Sequence, residues 1–161
     1  MPKKTRRSYR RANIEVTETT YLPGIIDTLQ DLVTKEVHIG VQGDEETAMI
    51  AGIHEYGSLK AGIPARSFVG TGKKKAQAPI SKTVKAGVIE LVTGNLNTKD
   101  LLQQIGDVGL GRVVKNFDKL RTPPLSPIYA KRKGNKKILH DEETLRDSLT
   151  SVVVSKGGRR R

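Results

Sequence analysis

The sequence predicts an α+β fold: a small mixed or antiparallel sheet with two or three helices packed on one face, and extended basic termini. Two observations carry that expectation. Val37, Ile39 and Val41 alternate with polar residues at the period of a strand, whereas Ile80, Val84, Val88 and Leu91 recur at the period of a helix. Strands and helices are also interspersed without the repeated strand–helix–strand unit of a parallel sheet.

Taken in order, Ile14-Glu15-Val16-Thr17 alternates and predicts a first strand over 13–19. Pro23-Gly24 opens a helix with Ile25, Ile26, Leu29, Leu32 and Val33 on one face. The strand around 37–41 follows, closed by Gly43-Asp44. Met49, Ile50, Ile53 and Tyr56 return to helical spacing, with Gly57 as the stop. Residues 57–72 hold four glycines and Pro64, which reads as an irregular loop. A further helix is expected from about 77 to 93, ended by Gly94.

Asn97 is a good N-cap for the next and longest helix, whose buried side is marked by Leu101, Leu102, Ile105, Val108, Val113, Phe117 and Leu120. Gly106, Gly109 and Gly111 lie inside it. Each costs roughly 1 kcal/mol against alanine, which argues for close packing or a break. Pro123-Pro124 stops this helix. A basic connector, a short helix around 142–148 and a last strand near 149–155 complete the chain.

The charge is unevenly placed. Of 161 residues, 29 are basic and 17 acidic, for a net +12. The first eleven residues hold six bases, including Arg6, Arg7, Arg10 and Arg11, and the last six hold four. Setting these ten aside leaves nineteen bases against seventeen acids in 12–155. The expected division is therefore a basic arm over 1–12, one domain over 13–155 and a basic tail over 156–161. Such arms suit an anionic polymer or an acidic neighbour; their alternative use is solubility.

Several chemistries find no support. The chain has no cysteine, so disulfides and thiolate zinc sites are out. No apolar run approaches the ~18 residues of a membrane span, and the basic start lacks the apolar stretch of a secretory signal. Gly70-Thr71-Gly72-Lys73-Lys74 only grazes the phosphate-loop pattern, with Ser67 at the first glycine position and Lys74 where a hydroxyl belongs. His38, His54 and His140 include no pair at zinc-helix spacing. Adjacent His54 and Glu55 face different ways on a helix, so they do not make one acid–base site. No cofactor, metal or enzymatic activity is expected.

Two stretches, in this order, carry a resemblance. The first is Ile53-His54-Glu55-Tyr56-Gly57 followed by Ile63-Pro64-Ala65-Arg66-Ser67-Phe68. The second is Pro123-Pro124-Leu125-Ser126-Pro127, the basic run from Lys131, and Leu139-x-Asp141-x-x-x-Leu145-Arg146-x-Ser148-Leu149. Over residues 36–155 the chain resembles the tailed-bacteriophage neck, tail-completion or minor-tail family. Ser67 stands where that family usually has proline, and Glu142-Glu143 where it has Thr-Gly.

The resemblance implies a structural virion protein at the head–tail junction, made in the host cytoplasm during assembly. It would form a homo-oligomeric ring, six-fold or twelve-fold, between the portal–adaptor assembly and a tail terminator or tail tube. Contact with DNA in the channel would be transient and non-specific, and no membrane is involved. The alternative is a ribosomal-type RNA-binding protein with basic tails.

The same residues have physical readings of their own. Pro64 biases Ile63 to an extended conformation, so 63–68 is expected to leave as a stiffened strap. Phe68 either anchors that strap on its own subunit or inserts into a neighbour. Arg66 is expected to pair with Glu55. Lys131, Arg132, Lys133, Lys136 and Lys137 form either a solvated connector or a surface facing channel DNA or an acidic ring partner.

Overall fold

The computed structural model describes residues 5–11, 14–133, 138–139 and 144–157, and the backbone alone at 9–11, 14–18 and 133. In chain order its elements are β1 (Thr5–Arg11), β2 (Ile14–Thr20), α1 (Leu22–Val33), β3 (Lys35–Val41), α2 (Glu45–Tyr56), α3 (Val69–Thr93), α4 (Thr98–Lys119), α5 (Pro127–Lys133), α6 (Thr144–Asp147) and β4 (Leu149–Ser155). The fold is α+β, with two antiparallel two-stranded sheets, β1–β2 and β3–β4.

The central sheet pairs the ends of the domain. β3 and β4 run antiparallel from Lys35↔Ser155 to Val41↔Leu149. Alternation then puts Val37, Ile39 and Val41 on one face with Val153, Ser151 and Leu149. Helix α4 lies across that face. Its glycines explain how closely: a Cβ at Gly109 would sit 2.3 Å from Ile39 Cδ1, and one at Gly106 would be 3.2 Å from Ser151 Cβ. The helix is unbroken, so these two glycines serve close packing. Gly111 faces open space and has no such role.

Helix α3 packs antiparallel on α4 as a further layer. Its Gly72 lies against the backbone of Val113, where a Cβ would come within 2.9 Å of Val113 Cα, and its Gly87 lies against Leu101. The core gathers where these layers meet: Phe68, Val113, Phe117, Leu145, Leu149 and the buried pair Ile138 and Leu139 form one cluster. Phe68 and Phe117 are fully buried and meet edge to face, 5.3 Å between centroids at 88°. Each such ring contributes roughly 1.5–3 kcal/mol by burial alone.

Three expectations are corrected. α3 begins at Val69, well before residue 77, and its 25 residues make it longer than the 22 of α4. Glycines at 70 and 72 look like loop residues, but tertiary contacts hold them in a helix, and even Pro79 is accommodated inside it. Part of the basic connector is also helical, because Pro127 sits at a helix start, where its missing N–H is harmless.

The third correction concerns the arm. Residues 5–11 are a strand, paired with β2 from Thr5↔Thr20 to Arg11↔Ile14, so the boundary after residue 12 falls between two partners. Counting charge says nothing about backbone pairing, and Thr5 and Tyr9 are good strand formers. The hairpin packs chiefly on itself.

Candidate functional site

The site is built from the two quoted motif stretches, which the chain separates by some fifty residues. It starts at the end of α2. Gly57 stops that helix with φ +78°, donating to the Ile53 carbonyl at 2.7 Å. A Cβ there would strike Ala65 N at 2.8 Å and Ile63 O at 2.9 Å, so both conformation and space call for glycine. The chain then doubles back. Ser58 and Ile63 exchange backbone hydrogen bonds at 2.8 and 2.9 Å, and Arg66 N–H donates to the His54 carbonyl at 2.6 Å. Pro64 and Ala65 stay exposed in the returning strap.

Glu55 closes the first half of a clasp. Its Oε1 accepts from Ser67 Oγ at 2.6 Å and Gly70 N–H at 2.9 Å, while Oε2 accepts from Phe68 and Val69 N–H, both at 2.9 Å. A helix leaves its first N–H groups without intrahelical partners, and its N-terminus favours negative charge. Here the cap comes from another helix, because Phe68 at the N-cap position has no side chain able to provide one. Burial pushes the Glu55 carboxyl upward, but the Ser67 hydroxyl and the three backbone donors outweigh it, leaving the group below the usual carboxylate range.

Arg66 closes the second half. Its side chain is buried and reaches not Glu55 but the proline pair: Nε donates to the Pro123 carbonyl at 2.9 Å and Nη2 to the Pro124 carbonyl at 3.0 Å. The expected Glu55–Arg66 pair is therefore replaced. Glu55 is saturated by four donors, and a proline turn without a sheet or helix partner offers two carbonyls. The Thr122–Pro123 bond in that turn is cis. Burial lowers the Arg66 pKa from its ordinary value, though a guanidinium keeps its proton in proteins.

Two further contacts lock the assembly. Buried Asn116 on α4 donates from Nδ2 to the Phe68 carbonyl at 2.8 Å and to Thr71 Oγ1 at 2.7 Å, and accepts from Lys75 Nζ at 2.6 Å. Arg146 grips Asp118 with two bonds, Nε to Oδ1 at 2.9 Å and Nη2 to Oδ2 at 3.3 Å, tying α6 to the end of α4. Sequence reasoning missed both. An asparagine between Val113 and Phe117 on an apolar stripe was the available signal for the first; the second had none.

The remaining expected residues are placed as follows. Phe68 packs within its own chain, on Phe117. Leu145 is in the core, and His54 is half-buried. Tyr56 points outward, 84% exposed, and beyond it Leu59 is fully exposed at the tip of the loop. Lys131 and Arg132 are exposed on α5, with Arg132 over the Tyr129 ring at 5.5 Å. Arg6 and Arg7 are exposed on β1. Asp141, Lys136 and Lys137, and the side chains of Arg10, Arg11 and Lys133, lie outside the described residues.

The clasp fixes the end of α2, the returning strap and the start of α3 relative to one another. Glu55 has both oxygens engaged by four donors, and those bonds favour its charged form. Among the described residues, no group of three His, Asp or Glu side chains is set to hold a metal ion. No described helix is long and apolar enough to cross a membrane. Comparison with protein-family models, with curated proteins and with solved structures returns no significant match.

Proposed function

We propose that this chain is a structural subunit of a tailed-phage virion, of the neck or tail-completion kind, and that it acts at the head–tail junction by assembling into a ring around the DNA channel. One observation carries the reading. The motif residues that underlie the resemblance converge in space: Glu55 and Gly57 from one, Arg66 and Phe68 from the next, and the carbonyls of Pro123 and Pro124 from the last. Their shared work is to fix a loop that exposes Tyr56 and Leu59. A rigid loop with apolar side chains turned outward suits an assembly subunit, whose partner surface is a second copy or an adjoining virion ring.

The role is structural and calls for no cofactor. Portal or adaptor proteins on one side, and a tail terminator or tube on the other, are the partners this reading supplies. Electron microscopy of the purified protein, together with antibody labelling of tailed virions, tests it. Rings, or label at the head–tail junction, are the expected result. A protein absent from virions and enriched in RNA-containing fractions would replace it with the RNA-binding reading.

A further inference from the structure

The near-neutral charge of the domain hides a strongly one-sided surface. Between Glu55 and Glu90 the chain has no acidic residue and seven basic ones. Five of these are lysines on α3: Lys73, Lys74, Lys75, Lys82 and Lys85. Lys75 turns back to Asn116. Lys74, Lys82 and Lys85 are exposed and form no ion pair with any described residue. At 100° per residue these three fall within an arc of about 80°, on the side of α3 away from Gly72 and Gly87 and hence away from α4. Along the axis they span about 16 Å. Ala78 and Ser81, exposed between them, add no bulk to the stripe.

This arrangement works against the stability of the helix. Lys82 and Lys85 are like charges at i,i+3. No position three or four residues from any of the three is acidic. One exposed pair does form at the end of a helix, Asp31 with Lys35 at 2.7 Å. Solubility alone does not require an acid-free row on one rigid face.

We propose that the Lys74–Lys82–Lys85 face of α3 is a phosphate-contacting surface for double-stranded DNA. The row lies along one face of a single helix and carries no aromatic ring, so it suits diffuse backbone contact and neither base reading nor stacking on single strands. Binding through it depends on salt and not on sequence. It stands apart from the neck reading: a chain that binds duplex DNA through α3 yet is absent from virions leaves this inference in place and removes the other.

The test is fluorescence anisotropy of the full chain with a labelled duplex of mixed sequence, across a salt series. K82Q/K85Q is compared with K99Q/K156Q, which removes equal charge from exposed positions beyond the face, and with K82R/K85R. The first variant is expected to bind roughly tenfold more weakly at low salt and to lose about two from the slope of log affinity against log salt. The distal pair changes little, and the arginine pair restores binding. Equal losses for both glutamine pairs would reduce the effect to net charge and overturn the assignment. So would undetectable duplex binding at low salt, or binding of polyglutamate in preference to DNA, which would make the face a dock for an acidic protein.

Discussion

Two charged regions of helix α3 follow opposite plans. At its first turn, the single carboxylate of Glu55 receives four hydrogen bonds and sits where the helix dipole favours it. One to four turns further on, Lys74, Lys82 and Lys85 form no ion pair with any described residue, and Lys82 and Lys85 repel each other at i,i+3. The first region stabilises the fold; the second costs it stability in exchange for a field directed outward. A net charge summed over the domain shows neither, because it cancels the two kinds of region against each other.

The largest effect that would test this contrast is at the cap. Glu55→Ala leaves three backbone N–H groups and the Ser67 hydroxyl without their acceptor, and is expected to cost about 2–3 kcal/mol. For a chain of this length that lowers the melting temperature by roughly 5–10 °C in a calorimetric scan. A change within about 1 °C would show that water replaces the carboxylate freely and that the clasp contributes little.

A smaller effect follows from the titration of the same group. The folded Glu55 pKa lies below the ordinary carboxyl value of 4.5 that it regains on unfolding. Its contribution is therefore fully present above that pH and is lost as the pH falls through the lower folded value. Urea unfolding at stepped pH should show wild type losing part of its stability in that acid window, with a shallower loss for Glu55→Gln. Parallel pH profiles for the two proteins would assign the acid loss to other carboxylates.

The smallest effect has the opposite sign. Removing the like charges in K82Q/K85Q should leave stability unchanged or raise it by about 0.2–0.5 kcal/mol, read as a shift in the urea midpoint. A clear destabilisation would mean that the lysine stems pack on the helix and that the row is part of the fold.

How much of this was legible in sequence follows the range of the forces involved. β3, β4, α1, α2 and α4 were readable, down to Gly57 as a stop and Asn97 as a cap accepting from Asp100 N–H at 2.8 Å, because each is dictated by local periodicity and capping. The early start of α3 was not, since its cap comes from a residue 13 to 15 positions away on another helix. Arg66 offered a nearby acid as partner, and the partner it takes is a pair of carbonyls 57 and 58 residues distant. Of the site, sequence named the residues and missed the pairings. The lysine row went unread because the tails drew attention to charge at the ends.

The cap donated by Glu55 also makes the beginning of α3 conditional. Residues 69–76, with two glycines, three consecutive lysines and no cap of their own, have little reason to be helical unless α2 is already docked beside them. A synthetic peptide covering 66–93 would accordingly start its helix near 77, where local pattern alone sets it. In the intact chain the carboxylate that caps α3 belongs to the helix from which the Tyr56–Arg66 loop departs, so one side chain links the shape of the loop to the length of α3.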